Sequence, residues 1–485
     1  MNLKYGRYFI RWRRNVCLPL TTLAAPHPRV WTASRIAIGI SATIFLATLN
    51  NTVYGDSSAA DSDKTAPSED AAASSQLSLI AGFTADKSLW QMPIRYLGEP
   101  PPGINRMYWF ARFDTRFRII SRGPRTLLNF FEGEGTLKSN ISDILAENLW
   151  FNLEGLFSWY QIDHSSAQPV EHLQEPHPPP DAIHSVIKTA VKYGDESVLK
   201  YFLGRVFSSP SKKNATDGIV ATSASCMISA LYEDDVQLLH ITSLGNMRAL
   251  LGRPREPDAE GLVKYDLHVL SEDHTPSNPA EKARVEELHP GEDIIENGAL
   301  LDRPYTRALG DGKLKWAPDV QAKLHKDYLG APPDPRVKTP PYISAEPDVS
   351  TIKVLPGDFL VMTSHWVGEC LTDEEVVGLV GAWLNKHGET HLVDVAPATP
   401  EPTPPEAIAP RELPVDLKGE DKTVMYRRWN VPKRFINVEP TPTAHIAYNA
   451  MGGADTELRE ALLQLSPAAS EGNVKAIGVA VVFFQ

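Results

Sequence analysis

TPPYISAEPDVSTIKVLPGDFLVMTSHWVGECLTDEEVV, from Thr339 to Val377, carries more information about the fold than any other stretch of the chain. Its end is a helix start. In LTDEEVVGLVGAWLNKHG, from Leu371, Thr372 stands as an N-cap with Glu375 three places on, and Gly388 lies beyond the last helical position. Outward from this stretch, short β-rich runs alternate with helical ones from Ile80 onward. On the N-terminal side, AIHSVIKTAVKYGDESVLKYFLG, from Ala182 to Gly204, spaces Ile187, Val191, Val198 and Phe202 at helical period, which predicts a helix pair or one long helix broken near Gly194. Two β runs between Ala221 and Gly252 predict a hairpin, with Glu233, Asp234 and Asp235 at its solvated tip. On the C-terminal side, Val395 to Pro414 is too rich in proline for regular structure and reads as a loop, and NVKAIGVAVVFF, 473–484, reads as a buried strand.

Composition narrows the class. The chain has 485 residues, 42% of them apolar, with 40 prolines and a formal net charge of -12. The length suits one large domain with appendages, and the prolines call for long connections. The negative charge disfavours nonspecific binding to nucleic acid. Cys17, Cys226 and Cys370 lie too far apart in sequence to suggest a disulfide framework or a zinc-binding pair. No repeat of solenoid period and no Rossmann or P-loop glycine pattern is present, so an α/β sandwich fits the pattern.

The N-terminus reads as an address. Met1 to Gly55 holds no Asp or Glu, while Lys4, Arg7, Arg11, Arg13, Arg14, Arg29 and Arg35 are spread among Tyr, Trp, Leu, Ser and Thr. That is the composition of a mitochondrial presequence. The apolar run Ile36–Leu49 covers about two thirds of the roughly 30 Å hydrocarbon core of a bilayer at helical rise. The expected organisation is a presequence with a short apolar or transmembrane segment over 1–55, a disordered tether over 56–80, and one domain over 81–485. This implies a single N-terminal anchor at the mitochondrial inner membrane with the domain in the intermembrane space. A secretory signal with a long basic region, or a cytoplasmic-side anchor, is the alternative.

The stretch quoted above resembles the TPPY…AEPEV…FLVLATDGLWD…DEEVV segment of metal-dependent type 2C (PPM-type) Ser/Thr protein phosphatases, in particular the mitochondrial pyruvate dehydrogenase phosphatase branch. Further blocks are similar. Leu270–Glu292 matches a DHT…N…E…R…HPGE block and includes Asp273 and His274. Arg303–Trp316 matches a block that keeps Arg307 and Asp311, Ser223–Tyr232 an inner strand, and His445–Gly453 a late helix. The resemblance spans roughly Leu137 to Phe484. It implies an α+β fold, an α/β sandwich of two central antiparallel β-sheets flanked by helices, with a binuclear metal site at the sheet edges.

The same resemblance identifies what is missing. Two hard cations such as magnesium or manganese need shared anionic oxygen ligands to activate a bridging water. Where the family has Asp-Gly, this chain has His365 and Trp366. The family's FDGHGG turn is matched to GLFSWYQIDH, which places Ser158, Trp159 and Tyr160 at its Asp, Gly and His. The late Asp pair becomes Lys475 and Ala476. The GDSRA turn keeps Gly245, Arg248 and Ala249, with Asn246 in its acidic position and Met247 in place of Ser. Of the early acidic motif at most Asp143 persists, and Asp163 with His164 reads as a loop insertion, the alternative being a register shift that restores a ligand.

No intact catalytic residue, no metal ligand and no cofactor is therefore expected. Asp273, His274, Arg307 and Asp311 read as loop-shaping residues, and a zinc site at His365 with Glu369 lacks further convergent ligands. The leading expectation is a pseudophosphatase that binds a mitochondrial protein or phosphoprotein, with Trp159, Tyr160 and Trp366 filling the former cleft. The alternatives are an active phosphatase of the pyruvate dehydrogenase phosphatase type using magnesium or manganese, and a purely structural subunit.

Overall fold

In the computed structural model, residues 94–95, 100–112, 115–133, 149–158, 177–208, 211–215, 221–387, 407–437, 439, 441–464 and 477–485 are described. Two six-stranded antiparallel sheets form its centre. The first runs β1 (Ile94–Arg95), β2 (Ile104–Arg112), β11 (Ile477–Phe484), β10 (Phe359–Thr363), β7 (Arg248–Pro254) and β8 (Tyr265–Val269) across its width. The second runs β9 (Asp348–Lys353), β6 (Leu238–Leu244), β5 (Ala224–Glu233), β4 (Arg125–Gly133) and β3 (Thr115–Arg122), with Leu309–Gly310 added to β5.

Alternation decides how the sheets stack. On β4, Leu128 and Phe130 face the other sheet together with Ile228 and Ala230 of β5, and share a cluster with Leu251, Leu360, Met362 and Val482 of that sheet. Leu127 and Phe131 face the opposite way, towards the helical stretch α1 (149–158) and helix α2 (Pro180–Ser208). Every residue of β5 and of β11 is buried, because each strand is central in its sheet and covered on both faces. On the far side, α5 (Asp373–His387) and α6 (Pro442–Ala450) pack Val380, Trp383 and Ile446 against Tyr108, Val361 and Val481. The order is helix, sheet, sheet, helix, as the sandwich expectation required.

Two close approaches depend on glycine. A Cβ at Gly478 would lie 2.4 Å from the Phe130 ring, so β11 and β4 pack this tightly only without a side chain there. Gly245 sits at φ +105, and a Cβ would lie 2.3 Å from Cys226 Sγ.

Some expectations change. Helix α2 is continuous, with Gly194 buried inside it; packing on the sheet overrides the cost of one glycine. The run 221–252 holds three strands: β5 and β6 form the expected hairpin, and β7 crosses to the other sheet. Glu233 is fully buried at the end of β5, so the hairpin tip is carried by Asp234 and Asp235. The capped helix and the terminal strand form as expected: Thr372 N–H donates to the Glu375 carboxylate at 2.9 Å, and Glu375 N–H donates to Thr372 Oγ1 at 3.2 Å. Most of the Pro-rich tract, the presequence, the apolar run Ile36–Leu49 and the tether lie outside the described residues. Among the described residues, no helix is long and apolar enough to cross a membrane.

Candidate functional site

The ends of β4, β10 and β11 converge with the β6–β7 turn at one rim of the sandwich. Glu132, the penultimate residue of β4, stands opposite Cys226 of β5. Its carboxylate accepts the backbone N–H of His365 at 2.9 Å, linking one sheet to the first residue of helix α4 (His365–Cys370), which follows β10 of the other. Next to it, Ser364 N–H donates to Gly478 O at 2.9 Å, and Gly478 N–H returns a bond to Ser364 Oγ at 3.0 Å. The rim thus carries one direct hydrogen bond between the sheets and a reciprocal pair within the first.

His365 Nε2 lies 3.5 Å from Glu369 Oε1, one turn along α4, with both side chains partly exposed. Asn246 is buried, and its Oδ1 accepts from the Cys226 thiol at 3.4 Å. Arg248, at the start of β7, pairs with Asp273 at 2.9 Å and with Asp373 at 3.4 Å. Burial pushes the Asp373 carboxyl above its ordinary range, against the pull of Arg248.

These donors do not fit a pair of hard cations. Glu132 is one carboxylate, and one of its oxygens is already engaged by a backbone N–H. Asn246 offers a neutral oxygen bound to a thiol, and His365 offers a softer imidazole. Among the described residues, no group of three or more His, Cys, Asp and Glu could hold a metal ion. Positions 475 and 476 lie outside the described residues, as do Trp159, Tyr160, Asp143, Asp163 and His164.

Two of the expected positions are corrected. Ser158 does not end an inner strand; it is an exposed residue of α1, whose Leu149, Trp150, Leu153 and Phe157 pack at helical spacing onto Leu127 and Phe131. The acid that ends an inner strand at this rim is Glu132. Its signal was present in the sequence as Phe131-Glu132-Gly133, an acid–glycine step directly after a β-rich run. Trp366 does not fill a cleft either. It is almost completely buried in the core beneath the first sheet, 6.4 Å from the Trp429 ring, because its position in α4 turns it away from the rim.

The retained motif residues form a structural network. Gly245 N–H donates to His274 Nδ1 at 3.1 Å, which leaves His274 Nε2 to donate to Asp348 at 2.8 Å. Arg307 joins Asp348 and Glu281, and Glu281 also accepts from Arg284 and Thr306. Burial alone would raise the Glu281 carboxyl, but the bonds from Arg307, Arg284 and Thr306 outweigh it and hold it far below its usual range. Asp311, buried at φ +51, is clasped by Arg303 at 2.7 and 3.2 Å. These residues tie α3 (Pro279–Leu288) and its following loops to the sheet edge.

Comparison with known proteins agrees with the blocks that suggested the family. Residues 166–401 match the family model described as protein phosphatase 2C. The chain is 29% identical over 310 residues to a protein phosphatase 2C homolog of Schizosaccharomyces pombe, covering 63% of each chain. It is 30% identical over 317 residues to the mitochondrial [pyruvate dehydrogenase [acetyl-transferring]]-phosphatase 1 of Saccharomyces cerevisiae, covering 62% of this chain and 53% of that one. The chain thus spans less than two thirds of the length of these relatives. A serine-threonine phosphatase 2C from Toxoplasma gondii aligns over 81% of this chain and 99% of its own, at 14% identity and a TM-score of 0.43. Residues 166–401 thus carry a match to the protein phosphatase 2C domain, and mitochondrial pyruvate dehydrogenase phosphatases are among the proteins to which the chain is similar.

Proposed function

We propose that this protein is a catalytically silent phosphatase-fold module that acts in the mitochondrion by binding a protein or phosphoprotein. The observation that carries the reading is the rim itself. The Glu132 carboxylate is bound to the His365 backbone, and His365 and Asn246 stand where the family resemblance requires acids. Replacing anionic ligands by an imidazole and an amide removes the charge that holds hard cations and activates water between them. The basic, acid-free leader and the mitochondrial relatives support the location. An inner-membrane anchor with the domain in the intermembrane space belongs to the same proposal.

A second reading is an active phosphatase with a rearranged metal site. It is favoured by Glu132, which keeps one carboxylate at a strand end, and by Trp366, whose burial in the core keeps it out of the rim. One experiment separates the two. Purified protein supplied with millimolar magnesium or manganese is assayed for bound metal and for release of phosphate from a phosphopeptide. Silence in both supports the first reading. Metal-dependent turnover establishes the second.

A further inference from the structure

Glu233 ends β5 fully buried on the helix-facing side of its sheet. Three donors converge on its carboxylate: Arg125 Nε from β4 at 3.1 Å, His177 Nε2 from the segment before α2 at 2.9 Å, and His240 Nε2 from β6 at 3.0 Å. An ionised carboxylate only accepts, so both ring nitrogens facing it carry hydrogen. The other side of the His240 ring continues the chain. Its Nδ1 lies 2.8 Å from Thr351 Oγ1 on β9, and His184 Nε2 on α2 lies 2.7 Å from the same oxygen.

Thr351 has one proton to give. If it donates to His240 Nδ1, it accepts from His184 Nε2–H; if His240 is protonated and donates, Thr351 turns its proton towards His184, which is then neutral. Either arrangement satisfies every group with at most one ring charged. A proton on both rings leaves the Thr351 hydroxyl hydrogen with neither ring to accept it and sets two cations with centroids 6.0 Å apart.

We infer that His184, Thr351, His240 and Glu233 form an acid-sensitive latch that holds the N-terminal third of α2 on the sheet. Burial, then His240, then Lys188 lower the affinity of His184 for a proton, with Asp181 opposing. Burial would raise Glu233, but hydrogen bonds from His240 and His177 keep it ionised. Among the described residues, further charged groups near the latch are Arg125, which lies over the Phe157 ring of α1, and Lys353 at the end of β9. Further along α2 stand the Lys192–Glu346 and Asp195–Lys315 pairs. Burial raises the Asp195 carboxyl despite Lys315, so the folded state holds that proton more readily than the unfolded one and acid does not loosen the middle of α2 through this group; the test must separate the two parts of the helix.

Hydrogen exchange of the full chain does so. Between about pH 8 and about pH 5.5, protection factors of the amides of residues 181–191 are expected to fall about tenfold, the equivalent of one pKa unit. Those of 196–206 hold. Thr351→Val, which removes the hydroxyl, is expected to show low protection at both pH values with no acid step, and Thr351→Ser to restore the step. His184→Gln still donates to Thr351 but takes no proton, so it keeps protection and loses the step, and it serves alone if Thr351→Val does not fold. Equal wild-type protection at the two pH values, or an acid step that survives in Thr351→Val or His184→Gln, overturns the latch.

Discussion

The backbone N–H of His365 donates to the Glu132 carboxylate at 2.9 Å, tying the first residue of the helix that follows one sheet's strand to the end of a strand in the other. In a metal-bridged rim this junction would be made by cations. Here a direct hydrogen bond spans it. Glu132→Ala leaves the His365 N–H without its acceptor and is expected to cost about 1–3 kcal/mol. Glu132→Gln, which keeps an acceptor oxygen, is expected to cost less. Urea unfolding checks the order. Equal stability of Glu132→Ala and wild type would show that the junction carries no load.

Wild-type protein is expected to melt at the same temperature with or without millimolar manganese, because a ligand stabilises only in proportion to its binding of the folded state. His365→Asp places a third carboxylate beside Glu132 and Glu369. In chelator it is expected to lose about 1 kcal/mol through like-charge repulsion, and manganese is expected to recover that loss. Thermal unfolding with and without the metal reads both effects. A wild-type shift with manganese would support the active-phosphatase reading.

Trp366→Gly, the family's residue at this position, is expected to destabilise rather than open a site. The indole is almost completely buried, and removing it leaves a cavity of large-to-small type, worth about 3–5 kcal/mol. Trp366→Phe retains most of the packing and is expected to be far milder. Denaturant midpoints of the two variants test this; equal midpoints would return Trp366 to the rim.

The Glu281 network sets an acid limit. The folded carboxyl titrates below its unfolded value, so its contribution is complete above about pH 4.5 and is lost as the pH falls through the folded value. Asp348 moves the same way, chiefly through its bond to His274, with burial opposing and Arg307 assisting. Glu281→Gln is expected to lower stability at neutral pH and to flatten its fall between about pH 5 and about pH 3. Unfolding free energies across that range give the slope, and an unchanged slope would remove Glu281 from the acid response.

Asp195 reaches from the middle of α2 to Lys315 at 2.7 Å and accepts the Gly310 N–H at 2.6 Å, all nearly out of solvent. Asp195→Ala leaves a buried ammonium and is expected to cost about 3–5 kcal/mol. A double variant with Lys315→Met is expected to recover part of that loss, measured as a coupling energy in a double-mutant cycle.

What the amino-acid sequence determines alone is local or tied to long runs of residues. The capped helix at Thr372, the all-buried terminal strand and the two-sheet sandwich follow from cap chemistry, apolar runs and the quoted blocks. That His365 and Asn246 carry no carboxylate is equally fixed, since no folding supplies a charge the side chains lack. Tertiary structure decided the rest. Phe157 and Ser158 suit a strand end as well as a helix, and packing of α1 on Leu127 and Phe131 settles the matter, leaving Glu132 as the acid at the rim. Glu233 reads as a solvated acid until β4, β6 and the segment before α2 bring Arg125, His240 and His177 around it. Trp366 turns into the core because α4 directs it there. Burial and hydrogen-bond partners arise from segments distant in sequence, so they are properties of the assembled sheets.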